Sequence, residues 1–147
     1  MKDVSITQQV RYSETDAMGV TYYANYLVWF EVGRNAFFRA RGIPYGRVEE
    51  EGIFLPVAEV HCRILASARY DDTIEIRTRL VDLRSRKVTL GYRIERDGRL
   101  LAEGWTAHVC VDADQRVTVL PEWIRSRLQE ERRPADNGMD RDLQRTG

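Results

Sequence analysis

The stretch from about Asn25 to Arg41 constrains the fold most, because Tyr26, Phe30, Gly33, Phe37 and Ala40 recur at steps of four, three, four and three. That is the period of an α-helix. Trp29, Val32 and Phe38 widen the apolar stripe well beyond a narrow seam, so such a helix has to be buried on much of its circumference. The rest of the chain must therefore wrap it. Asn25 is the expected N-cap, and Gly42 followed by Pro44 supplies the stop signals.

Everything suited to wrapping reads as strand. Val4 to Tyr12 alternates β-branched and aromatic residues imperfectly. Between Val57 and Leu65, Ala58, Val60, Cys62 and Ile64 share one face while Glu59, His61 and Arg63 share the other, which predicts a half-buried strand. Ile74, Ile76, Thr78 and Leu80 repeat the pattern, as do Val88, Leu90, Tyr92 and Ile94 after an Arg-rich turn. Asp97-Gly98 is a hairpin signal before the last long strand, Leu100 to Asp112. In that strand Ala102, Gly104 and Thr106 keep one face small, which lets the aromatic helix approach closely. One long helix against a curved antiparallel sheet of about five strands is an α+β arrangement.

A chain of 147 residues fits one such domain, expected over residues 1–128 and ending in a short helix from Glu122 to Leu128. The tail, 129–147, is charged and almost free of apolar residues, and is expected to be mobile. With 23 basic against 23 acidic side chains, the chain lacks the basic excess that a nucleic-acid binder uses against phosphate. The 43% hydrophobic content excludes a disordered chain. The start, Met-Lys-Asp-Val, runs directly into alternating residues without an apolar signal-peptide core, so a cytoplasmic protein is expected. The longest uncharged run, Ala17 to Phe30, is broken by Gly19, Thr21 and Asn25 and is too short for a membrane span. Cys62 and Cys110 lack paired metal-site spacing, and His61 and His108 lie beside them in strands, where neighbouring side chains point to opposite faces. Buried thiols and structural histidines are the reading, with no metal.

Two features carry chemistry. Asp16 lies in a loop between the first strand and the buried helix, with no cation among Thr15, Ala17, Met18, Gly19, Val20 and Thr21 to pair with it. A carboxylate at the mouth of an apolar pocket can act as general base or nucleophile, since partial desolvation raises its basicity. Arg84, Ser85, Arg86 and Lys87 place three cations in four positions at a turn, a group suited to phosphate oxygens. Glu31 is read as structural, paired with Arg34 three residues on. Glu49, Glu50 and Glu51 are read as a solvated loop without a role.

The string from Tyr12 to Tyr26, YSETDAMGVTYYANY, resembles the amino-terminal motif of the 4-hydroxybenzoyl-CoA thioesterase branch of the hotdog-fold superfamily. That motif runs aspartate, small residue, any residue, glycine, aliphatic residue, then aromatics and an asparagine before the central helix. The resemblance continues through Gly42-Ile43-Pro44, Tyr70-Asp71-Asp72 and Ala102-Glu103-Gly104, over roughly residues 4 to 125. It implies a hotdog fold in which two subunits join their sheets edge to edge, as a homodimer or within a homotetramer, with sites at the subunit interface. It also implies acyl-CoA as the substrate, hydrolysed without metal or cofactor, coenzyme A being part of the substrate. By position, Asp16 would be the catalytic carboxylate and the backbone N–H of Tyr23 would polarise the thioester oxygen. The turn Arg84, Ser85, Arg86 and Lys87 would hold the nucleotide end.

Short-chain acyl-CoA relatives often carry histidine where this chain has Tyr23, so the tyrosine leans toward an aromatic or bulky acyl group. Two other readings fit the same residues: an acyl-carrier-protein thioesterase, whose basic turn meets an acidic protein, and a non-catalytic acyl-binding module. A hydratase of this fold would need a histidine-bearing motif that the sequence lacks.

Overall fold

The computed structural model of the chain describes residues 3–129, so the mobile tail expected over 129–147 lies outside the described residues but for its first position. Five strands form one antiparallel sheet: β1 (Val4–Gln9), β2 (Val57–Ile64), β3 (Thr73–Leu83), β4 (Lys87–Arg96) and β5 (Arg99–Val109), in the order β1-β3-β4-β5-β2. Helix α1 (Asn25–Ala40) lies across it, α2 (Tyr45–Glu50) follows, and α3 (Glu122–Gln129) closes the described chain. The α+β architecture expected from periodicity is the one observed.

Helix α1 buries Tyr26, Trp29, Phe30, Gly33, Phe37 and Phe38 against the inward residues of β3, β4 and β5. Each large apolar side chain removed from water there contributes on the order of 1.5–3 kcal/mol. Phe30 stacks flat on Tyr92, ring centroids 4.4 Å apart. Two glycines permit this approach. A Cβ on Gly33 would lie 2.4 Å from Thr78 Oγ1, and one on Gly104 would lie 3.0 Å from the Phe30 ring and 2.0 Å from the His61 carbonyl oxygen. The small face expected on β5 therefore does receive the helix. At the β4–β5 hairpin, Asp97 and Gly98 both take positive φ, 52° and 80°, as a tight hairpin with right-handed twist requires.

Four local expectations need correction. The first strand ends at Gln9 rather than Tyr12, because residues Tyr12–Glu14 wind into a 3₁₀ turn. Asn25 is the first helical residue rather than the N-cap, and its side-chain amide reaches back to the Glu14 carbonyl at 2.9 Å. Arg34 donates to the Tyr92 hydroxyl at 3.4 Å, and no Glu31–Arg34 pair forms among the described residues. Strand β2 is not half-buried: Val57, Val60 and Ile64 are 48%, 49% and 42% exposed, because α1 does not extend over this edge of the sheet.

Cys62 and Cys110 are free, the second buried. His108 is buried, with Nδ1 at 2.9 Å from the Leu55 carbonyl and Nε2 at 2.7 Å from Thr106 Oγ1. The carbonyl can only accept, so Nδ1 carries the proton and Nε2 accepts from the threonine. No group of three metal-binding side chains occurs among the described residues, and no described helix is long and apolar enough to cross a membrane.

Candidate active site

The loop bearing Asp16 is tightly specified by its own backbone. Asp16 N–H donates to Val20 O at 2.9 Å, Gly19 N–H returns to Asp16 O at 3.0 Å, and Thr15 and Thr21 form an isolated bridge. Gly19 takes φ +79°, which an L side chain rarely adopts, and this closes the turn. One carboxylate oxygen of Asp16, Oδ1, accepts the Met18 N–H at 2.8 Å, so the group is oriented as well as anchored. The segment around it leaves several large apolar side chains uncovered, with Met18, Tyr22, Tyr23 and Leu27 all exposed. Asp16 itself is exposed. The apolar pocket expected around it is not supplied by its own chain.

Tyr23 precedes α1 by two residues, and its N–H finds no acceptor among the described residues, whereas Tyr22 N–H bonds Glu14 O and Asn25 N–H bonds Tyr22 O. It stands at the positive end of a sixteen-residue helix. An unpaired amide there can hold a developing oxyanion without reorganising. Asp16 and the Tyr23 amide lie seven residues apart on the segment that joins β1 to α1.

The cationic turn does not join it within the chain. The Asp16 loop sits beside residues that precede β3, through Thr21 N–H to Ala68 O and a bridge between Val20 and Arg69. Arg84, Ser85, Arg86 and Lys87 follow the far end of the same strand. Eleven residues of strand separate the two, roughly 35 Å at the usual rise. The turn is pinned by Cys110 N–H to Arg86 O and Leu120 N–H to Ser85 O. Arg84 pairs with Asp82 at 2.9 Å and Lys87 approaches Glu59 at 3.8 Å, while Arg86 is exposed and pairs with no described carboxylate. Of the three cations, Arg86 is the one best placed to meet an incoming anion.

A cleft of about 630 Å³ opens at that same end, walled by Tyr45, Phe54, Leu55, Pro56 and Val111 with Glu49 and Asp112 at its rim. Helix α2, which sequence periodicity did not reveal, forms one side of it. Glu51, expected to be idle, accepts the Trp123 indole N–H at 2.8 Å and pairs with Arg47, which stacks on that ring. A second residue missed in the sequence is Glu14, 3% exposed, whose carboxylate accepts the Trp29 indole N–H at 2.9 Å. No periodic signal links positions fifteen apart across a loop.

A sequence model described as the thioesterase-like superfamily matches residues 10–128 of the chain. The chain belongs to that superfamily. Within it, Bacillus subtilis YneP, a candidate acyl-CoA thioesterase, is 36% identical over 121 residues, covering 78% of this chain and 88% of its own length. The acyl-CoA thioester hydrolase YbgC of Escherichia coli is 31% identical over 105 residues, covering 71% of this chain and 78% of its own. The crystal structure of DHNA-CoA thioesterase from Staphylococcus aureus superposes with a TM-score of 0.84 at 28% identity, covering 95% of this chain and 96% of that one. Membership of the thioesterase-like superfamily and the observed sheet with its single central helix establish the hotdog fold that the motif implied.

Proposed function

We propose that the protein hydrolyses acyl-CoA thioesters to the free acid and coenzyme A, using Asp16 as nucleophile or general base and the Tyr23 amide as electrophile. The observation that carries this is an oriented carboxylate and an unpaired helix-terminal amide, both on the short segment between β1 and α1. Relatives that act on acyl-CoA support the substrate class.

The thioester carbonyl oxygen accepts from Tyr23 N–H, which stabilises charge as the carbonyl carbon becomes tetrahedral. Either Asp16 adds to that carbon and expels coenzyme A as the thiolate, leaving a mixed anhydride that water opens, or Asp16 takes a proton from the water that adds directly. Both routes regenerate the carboxylate and consume one water.

The remaining parts come from a second copy of the chain. Strand β2 runs from Val57, beside His108 at the cationic end, to Ile64, beside Ala102 at the Asp16 end. Two copies paired antiparallel along this exposed edge would set the Asp16 loop of one against the cleft and the Arg84, Ser85, Arg86 and Lys87 turn of the other. The aromatic-walled cleft would then take an aryl or medium-length acyl group, and the turn the nucleotide phosphates. No metal or cofactor is required by this chemistry.

Release of free thiol from aryl-, short- and medium-chain acyl-CoA, set against the same acyl groups on acyl-carrier protein, tests the reading. Asp16→Asn is expected to lower kcat by at least ~10³-fold on the preferred CoA ester with folding and oligomer size unchanged. Full activity in that variant would overturn the mechanism, and faster turnover of carrier-protein esters would move the substrate class.

A further inference from the structure

We infer that Glu14 is a positioning residue that sets the geometry between Asp16 and the Tyr23 amide; the inference rests on the site proposed above. Glu14 is almost completely buried, at 3% exposure, although a carboxylate in such a place has to be compensated by donors. Both of its oxygens are used. Oε1 accepts the Arg11 N–H at 2.8 Å and closes the 3₁₀ turn, and Oε2 accepts the indole N–H of Trp29, a residue with no exposure, at 2.9 Å. Among the described residues the one cation paired with it, Arg11, is 3.5 Å away on a side chain 72% exposed, so the fixed N–H donors carry most of the compensation.

The main chain of the same residue makes a second set of ties. Its carbonyl oxygen accepts Tyr22 N–H at 2.9 Å and the Asn25 side-chain amide at 2.9 Å. Glu14 therefore grips the helix from two directions: through Trp29 in its second turn, and through Tyr22 and Asn25 on either side of the Tyr23 amide. Asp16 lies two residues beyond Glu14, in a loop whose own hydrogen bonds make it move as a unit. Any displacement of Glu14 relative to α1 becomes a displacement of the carboxylate relative to the oxyanion donor.

A shift of about 1 Å between reacting groups can cost on the order of 10²-fold in rate. It should leave ground-state binding nearly untouched, because the donor and carboxylate act most strongly in the transition state. Glutamine cannot replace the glutamate, since its NH₂ group would face either Arg11 N–H or the Trp29 indole N–H, donor against donor. Phenylalanine at position 29 removes one tie and keeps most of the aromatic volume, leaving Glu14 Oε2 only the 3.5 Å contact with Arg11.

The test measures kcat and KM for thioester hydrolysis by the full chain and by Glu14→Gln, Trp29→Phe and the double variant, with thermal unfolding and oligomer size beside each. Wild type and Asp16→Asn are run first: an inactive wild type, or an active Asp16→Asn, breaks the proposed site rather than this inference. Given an intact site, Glu14→Gln is expected to lower kcat about 30-fold and Trp29→Phe about 5-fold, with KM within twofold. The double variant should lose no more than Glu14→Gln alone, because both changes cut one connection. If Glu14→Gln fails to fold, Trp29→Phe alone decides. Wild-type kcat in a folded Trp29→Phe or Glu14→Gln, or losses that appear in KM instead, would overturn the positioning role.

Discussion

Strands β2 and β4 carry the same alternation of apolar and polar residues, and they meet opposite fates. The inward residues of β4, Val88, Leu90, Tyr92 and Ile94, are at most 2% exposed beneath α1. On β2, Val60 and Ile64 remain more than 40% exposed at the sheet edge, and Cys62 between them is only partly buried. An open edge with apolar side chains is a template for pairing with another strand. The difference teaches that alternation records that one face is covered, but not what covers it. For β4 the cover is the chain's own helix, and for β2 the proposed cover is a second copy.

Charging the β2 face is the strongest way to break that comparison. Val60→Glu with Ile64→Glu is expected to separate the copies, halving the mass seen by light scattering, and to lower thioesterase activity more than ~100-fold while the sheet and α1 persist, since dissociation leaves only part of the proposed site on each chain. An associated and active variant would remove β2 from the interface. The reciprocal change, Leu90→Ala on β4, should cost about 2–5 kcal/mol in denaturant unfolding with no change of oligomer until the chain unfolds.

A second contrast concerns His108, which shares a face of β5 with Gly104 and Thr106 while its imidazole reaches the Leu55 carbonyl at the cleft. Burial pushes it down to about 4 from an ordinary value near 6.5. The unfolded chain therefore binds this proton more readily, and stability should be full above about pH 6.5 and fall as the pH drops toward 4, by about 3 kcal/mol in all. Unfolding free energies measured across that window should show the slope, and His108→Gln should flatten it. The smallest expected effect is at the cationic turn. Arg86→Ala should raise KM for acyl-CoA about 3- to 10-fold with kcat unchanged, an effect that weakens with added salt.

Much of this architecture was legible in residue order. The spacing of Tyr26, Phe30, Gly33 and Phe37 specified the buried helix, and Ala102-x-Gly104-x-Thr106 specified where it lands, because both depend on periods the backbone enforces. Asp16 was singled out through its motif as the proposed reacting carboxylate. Its solvent exposure was not legible, since the apolar wall proposed for it belongs to another copy. Helix α2 is six residues long, too short for a periodic signature, and Glu14 acts through a contact with Trp29 that no local pattern encodes. The basic turn was visible as charge, but its pairing with Asp82 and Glu59 depends on strand register.

The central claim is that the reacting carboxylate and the nucleotide-holding turn of one site come from different copies. Mixing two impaired variants tests it most directly: Asp16→Asn, and a chain with Arg84→Glu and Arg86→Glu, unfolded together and refolded as a mixture, then assayed for thiol release below KM. Chains that pair at random should regain about a quarter of wild-type activity, because each mixed pair holds one intact site beside one doubly impaired site. Activity no higher than the sum of the two variants alone would contradict the shared site.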